Sequence, residues 1–245
     1  TKVYPMIVCF TLVTMLVKDF RWNETGNTIV AGPSFSGENI KTRILIDSSL
    51  KNFLGKTTII DKVIRNKHDL IKNGGSKPVI LYYLSEQQIY TKWEESGLLS
   101  FKSCGVPDID TFKDTISFYG KDGAVVIFDD LGSEIKQNAK FFRELFLVLS
   151  HHMKLNVFLI LHNIFPEGLR ELSLNSHRFI ITHNPRDSLS LATLSRQCFP
   201  GSKKFLPNVY KFIGEREFGY LVLDFHQQTN PALRGEIHIL HTVLY

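Results

Sequence analysis

Cysteine is scarce: Cys9, Cys104 and Cys198 are the only three in 245 residues. Widely separated and odd in number, they exclude a disulfide framework and supply no metal-ligand spacing. A reducing, intracellular setting rather than a secreted one is therefore expected. Long apolar runs are missing too. Residues 6–17, Met-Ile-Val-Cys-Phe-Thr-Leu-Val-Thr-Met-Leu-Val, are too few to cross a bilayer, and Lys18-Asp19-Phe20-Arg21 behind them offers no small-residue cleavage site. Residues 1–20 read as an atypical apolar extension, 21–245 as a single domain, and no membrane partner is expected. Neither sign of charge dominates: 29 Lys and Arg against 24 Asp and Glu leave +5, which suits work near nucleic acid without demonstrating it. There is no internal repeat, low-complexity tract or interdomain linker.

What is present is a 43% hydrophobic content, enough for a sizeable core, arranged in short runs. Thr28–Ala31, Pro78–Leu84, Gly123–Phe128, Val157–Leu161 and His177–Thr182 read as buried strands, with Phe218–Phe225 and Glu236–Leu240 as two more. Between them, helices are expected from Thr58 to near Asn73-Gly74-Gly75, then over Glu86–Glu95, Ile109–Phe118, Asn138–His152 and Ser188–Cys198. His151-His152 read as the polar cap of a helix rather than a ligand pair. Strands alternating with helices predict an α/β fold: a mostly parallel central sheet with helices on both faces.

One motif is cut in two. Residues 28–37 read Thr-Ile-Val-Ala-Gly-Pro-Ser-Phe-Ser-Gly, a strand entering a glycine turn. The phosphate-loop pattern G-x-x-x-x-G-K-[ST] calls next for Lys and then Ser or Thr. Glu38 and Asn39 stand there instead, and Gly55-Lys56-Thr57-Thr58 appears downstream. Removing residues 38–55 joins Gly32-Pro33-Ser34-Phe35-Ser36-Gly37 to Lys56-Thr57-Thr58 and completes the loop. In that loop consecutive N–H groups and a helix N-terminus cradle phosphate, Lys56 neutralises the β/γ-phosphates, and the Thr57 hydroxyl holds Mg²⁺. ATP and Mg²⁺ are the expected cofactors. As written, a carboxylate sits where the lysine belongs. Either the insertion loops out and lets the halves meet, or the chain cannot grip ATP. An unremoved intron accounts for the split: Gly37-Glu38 can be encoded G|GT GAA and Phe53-Leu54-Gly55 TTT TTA G|G, so both cuts follow the first base of a glycine codon. A genuine insertion in a decaying copy is the alternative.

The apolar strand Gly123–Phe128 runs into Asp129-Asp130. Asp129 is expected to hold Mg²⁺ through water and Asp130 to orient or deprotonate the attacking water. That strand end should lie beside the phosphate loop, in the crevice of an open α/β sheet. Val157–Leu161 ends in His162-Asn163, and Asn163 is the candidate γ-phosphate sensor. Arg186 and Arg196 flank the helix beyond the fifth strand. Either could serve a neighbouring subunit as an arginine finger, an ordinary surface role being the alternative for each.

From Tyr83 onward the text resembles the packaging ATPases of Maverick/Polinton elements and adintovirus-like viruses, in the FtsK–HerA superfamily, with the poxvirus packaging ATPase more distant. Tyr83-Leu-Ser-Glu-Gln87-Gln-Ile-Tyr90 resembles their Y-x-x-x-Q-x-x-Y segment, Gly105-Val-Pro107 their G-L-P, and Val126-Ile-Phe-Asp129-Asp130-Leu131 their Walker B strand. Ser150-His-His152, Asn163-Ile-Phe165, Leu174-Asn-Ser-His177, Asn184-Pro-Arg-Asp187, Arg196-Gln197, Pro200-Gly201, Gly219-Tyr220-Leu221 and Asp224 follow in order. The resemblance implies a RecA-like P-loop NTPase that assembles as a homo-oligomeric ring, a hexamer, and hydrolyses ATP to drive double-stranded DNA into a capsid, with capsid or portal-vertex proteins as partners and the host nucleus or a virion as its setting. The chain departs from it in three places: the split Walker A loop, Leu161-His162-Asn163 where relatives have Thr-Gln-Asn, and residues 1–20, which match nothing. A non-catalytic endogenised relic that acts as an interaction protein, and a different DNA translocase or helicase on the same fold, are the competing functions.

Overall fold

A computed structural model of the chain describes residues 21–32, 55–165, 170–182, 184, 188–199, 201, 203–214 and 220–228. The apolar runs form the expected strands: β1 Gly26–Ala31, β2 Val79–Tyr83, β4 Val125–Asp129, β5 Asn156–Leu161 and β6 Arg178–Thr182, almost wholly buried. Continuous burial is what parallel strands covered on both faces require. Two edges complete the sheet: β3 Phe101–Cys104, which hydropathy did not announce, and β7 Tyr220–Asp224. The order is β3-β2-β4-β5-β1-β6-β7, with every pairing parallel except β6 with β7. The sheet is therefore mostly parallel, as expected. Residues 1–20 and the strand expected at Glu236–Leu240 lie outside the described residues, as does 33–54.

Alternation along the strands assigns each side chain to a layer. Val79, Leu81, Val125 and Ile127 face one layer, made by α1 (Lys56–Arg65) and α3 (Gln88–Glu95) through Ile60, Val63, Ile64, Ile89, Tyr90 and Trp93. Ile80, Tyr82, Val126 and Phe128 face the other. That layer holds α4 (Ile109–Tyr119), α5 (Gly132–Gln137), α6 (Ala139–Glu144 continuing through Leu145–Leu149 and Ser150–His152), α8 (Ser188–Cys198) and α9 (Phe205–Gly214). Burying each large apolar side chain contributes roughly 1.5–3 kcal/mol. The middle of α6 is a π turn, and the buried Asn27 amide of β1 donates to its Phe146 carbonyl at 2.9 Å.

Several boundaries differ from expectation. α1 stops at Arg65 instead of running to Asn73; a short α2 (Lys67–Leu70) follows, and Ile71 leaves it to bridge Trp22. Asn66 ends α1 by donating its backbone N–H to the Lys62 carbonyl. α5, the short α7 (Arg170–Leu174) and α9 were not expected either.

Below the sheet, the Asn27 backbone N–H donates to Nδ1 of His177 at 3.0 Å, which requires a neutral ring. Burial, followed by the neighbouring His226 and Arg178, lowers the His177 pKa from 6.5 to about 4. Between pH 4 and 6.5 the unfolded chain binds this proton and the native chain does not, so stability is lost as pH falls through that window. Urea unfolding is expected to show a loss of about 1–2 kcal/mol from this group across it, the shift being discounted for the ring's partial exposure to solvent. His177→Asn should flatten that slope.

Candidate functional site

Parity brings the site together. Asp129 shares the strand face of Val125 and Ile127, so its carboxyl points into the α1 and α3 layer. The Thr57 hydroxyl of α1 donates to Asp129 Oδ2 at 3.3 Å, and the Tyr90 hydroxyl of α3 donates to the same oxygen at 2.8 Å. Asp129 is only 3% exposed. Burial pushes its carboxyl above the usual carboxylate range, against the opposing pull of the Tyr90 hydroxyl and the Lys56 charge.

Lys56 opens α1 behind Gly55, whose extended backbone caps the helix by accepting from the N–H groups of Thr58 and Ile59 at 3.1 and 3.3 Å. The lysine is 8% exposed, and its ammonium donates to the Gly32 carbonyl at 2.5 Å, across the whole of the sequence insertion. Burial lowers its pKa, and the charges of Asp129 and Asp130 partly restore it. Gly32, where the first half of the split loop begins, and Lys56 of its second half therefore meet in space. Pro33, Ser34, Phe35, Ser36 and Gly37, together with Glu38, lie outside the described residues.

Asp130 is exposed and sits at φ 58, in the left-handed region that Asp tolerates better than most side chains. His162, at the tip of β5, stands between it and the lysine: Nδ1 is 3.4 Å from Lys56 Nζ and Nε2 is 3.7 Å from Asp130 Oδ1. An ammonium only donates, so Nδ1 accepts and the ring hydrogen is on Nε2, toward Asp130. β5 lies between β4 and β1 in the sheet, and the acidic strand end still meets Lys56 and Thr57 of the split loop, through the Thr57 hydroxyl and the attraction of both acids for Lys56. The tip residue that reaches the cluster is His162, while the exposed Asn163 is outside the hydrogen bonds that join Lys56, Thr57, Tyr90, Asp129 and His162.

The protein shares this fold with the genome-packaging NTPase B204 of Sulfolobus turreted icosahedral virus 2 in complex with AMP, at a TM-score of 0.55 and 16% identity, over 91% of this chain and 100% of that one. The likeness is one of fold. The same B204 with AMPPCP aligns at TM-score 0.49 and 17% identity, over 85% of this chain and 96% of that one. The DNA-packaging ATPase B204 from Sulfolobus turreted icosahedral virus aligns at 0.49 and 12%, over 82% and 92%. No protein-family profile and no curated protein sequence matches the chain.

The cluster can bind an anion at the α1 N-terminus beside Lys56, and its donors fit magnesium. Thr57 Oγ1 and the Asp129 carboxylate are hard oxygens 3.3 Å apart, the sparse protein set that Mg²⁺ takes when phosphate and water fill its other positions. Arg196, in the last turn of α8, is exposed and turns back on its own helix, to the Ala192 carbonyl and the Thr193 hydroxyl, rather than to Lys56, Asp129 or Asp130. Arg186 lies outside the described residues. Tyr90 went unassigned in the sequence because a buried helix tyrosine looks like core. Its place in the Y-x-x-x-Q-x-x-Y segment was the only available signal. Among the described residues no three His, Cys, Asp or Glu side chains group as a metal centre, and no helix is long and apolar enough to cross a membrane.

Proposed function

We propose that the chain is an ATP-driven motor that packages double-stranded DNA into a viral or transposon-derived capsid, in the Maverick/Polinton branch of the FtsK–HerA superfamily. The observation that carries this reading is the Lys56 ammonium lying against the Gly32 carbonyl, within the field of Asp129 and Asp130. In this reading Gly32–Gly37 and Gly55–Thr58 wrap the phosphates. Lys56 neutralises charge there, and Thr57 and Asp129 hold the magnesium ion, which offsets phosphate charge. Asp130 orients or deprotonates water, and His162 takes the sensing place expected of Asn163. Arg186 or Arg196 reaches the site of the next subunit in a ring, a hexamer as the resemblance implies. Double-stranded DNA and capsid or portal-vertex proteins are the partners, in a virion or host nucleus.

The insertion at 38–55 favours a second reading, a non-catalytic relic that retains the fold and acts as an interaction protein. Titrating Mg–ATP into the full chain and into a chain lacking residues 38–55 separates the two. Both should bind, the shorter more tightly, and hydrolysis should be stimulated by duplex DNA in a salt-sensitive way. Binding by neither overturns the motor reading and leaves the relic. Binding by the shorter chain alone makes the insertion an inactivating lesion.

A further inference from the structure

The sheet order leaves a gap that α3 helps to close. With β5 between β1 and β4, no ladder joins the strand that leads into the phosphate loop to the strand that ends in the acids. The helix carrying Lys56 and Thr57 meets the strand carrying Asp129 directly through the Thr57 hydroxyl, and a second tie runs through α3. α3 touches both. Tyr90 is fully buried between the rings of Tyr83 and Trp93, at 5.3 and 5.6 Å, and its hydroxyl reaches Asp129 Oδ2 at 2.8 Å. One turn on, the Trp93 indole N–H donates at 2.7 Å to Oδ1 of Asp61 on α1, and Arg65 Nε donates to both oxygens of that carboxylate at 2.9 and 3.0 Å.

We propose that α3 clasps α1 to β4, and that Tyr90 is a positioning residue which fixes the Asp129 carboxylate for magnesium. The proposal rests on the reading of Asp129 as a magnesium ligand. Both hydrogen bonds to this carboxylate end on Oδ2, which leaves Oδ1 without a hydrogen bond among the described residues and oriented by the other two. A carboxylate held in this way meets a cation without first giving up rotational freedom, and the partners that hold a ligand in place tune its metal affinity. Burial, then the Asp129 charge, pushes the Tyr90 phenol above its ordinary value, so it remains a donor. The tilted contacts of the ring with Tyr83 and Trp93 hold it apart from the hydroxyl's bond, so the hydroxyl is the separable part.

Tyr90→Phe in the full chain tests this, read by fluorescence of a labelled ATP analogue titrated with Mg²⁺, with melting followed in parallel. Binding without metal should be unchanged, and the Mg²⁺ needed for half-maximal enhancement should rise by about tenfold. In an Asp129→Ala background, Tyr90→Phe should shift nothing further, because its effect runs through that carboxylate. An unchanged Mg²⁺ requirement, or equal weakening with and without metal, overturns the positioning role while the site reading stands. A wild-type chain whose analogue binding ignores Mg²⁺ overturns the site reading and this proposal with it.

Discussion

Replacing Lys56 with methionine is expected to lower the kcat/KM for ATP by about two to three orders of magnitude without lowering the melting temperature. The loss follows from the position of the charge. Among the described residues, the Lys56 ammonium is buried at the start of α1, beside the helix N-terminus on which a triphosphate would rest. The thermal result follows from its environment. Burial outweighs the attraction of Asp129 and Asp130 and holds the native pKa below the ordinary lysine value. At neutral pH the native state therefore binds that proton less tightly than the unfolded chain does, so the charge works against folding. Methionine keeps most of the stem's packing and removes the desolvated charge. Hydrolysis assays with differential scanning calorimetry check both halves; a large fall in melting temperature would assign Lys56 a structural role instead.

Asp130→Asn should separate binding from chemistry. Mg–ATP affinity is expected to stay within about threefold, while hydrolysis slows by about 10²–10⁴, the range for loss of a general base. The two acids occupy different environments. Asp129 is buried under Tyr90 and Thr57, and Asp130 is exposed beside the His162 ring. Only Asp130 is open to an incoming water. Asparagine tolerates φ 58 as well as aspartate does, so a lost rate cannot be blamed on the backbone. Equilibrium binding and single-turnover hydrolysis on the same preparation decide the matter; equal losses in both would move Asp130 into the metal site.

The parts of this fold legible in sequence are those where burial is continuous. Val125-Val126-Ile127-Phe128 and Val157–Leu161 have no solvent face, and such runs between turn residues have few other readings. β3 was hidden because Phe101-Lys102-Ser103-Cys104 is a partly exposed edge with neither a run nor a clean alternation. α9 was hidden by Pro207, which a helix accepts in its first turn, where the missing N–H has no partner to lose. In the site, the Lys56, Thr57, Asp129 and Asp130 text was readable because phosphate and magnesium chemistry restricts residue type and spacing. The choice between His162 and Asn163 was not readable. Both follow the last strand residue, Leu161, where the two-residue period no longer dictates direction. Tyr90 was unreadable for a different reason: its partner is 39 positions away, and only the folded sheet makes them neighbours.

The outer strand β3 has a consequence for assembly. Lys102 at its centre is held by Glu86 at 3.2 Å and by Glu94 at 2.7 Å. A foreign strand adding to this border would have to dehydrate a cation and two anions at once, over a template only four residues long. Pairing between copies of the chain is thus steered away from the β3 edge.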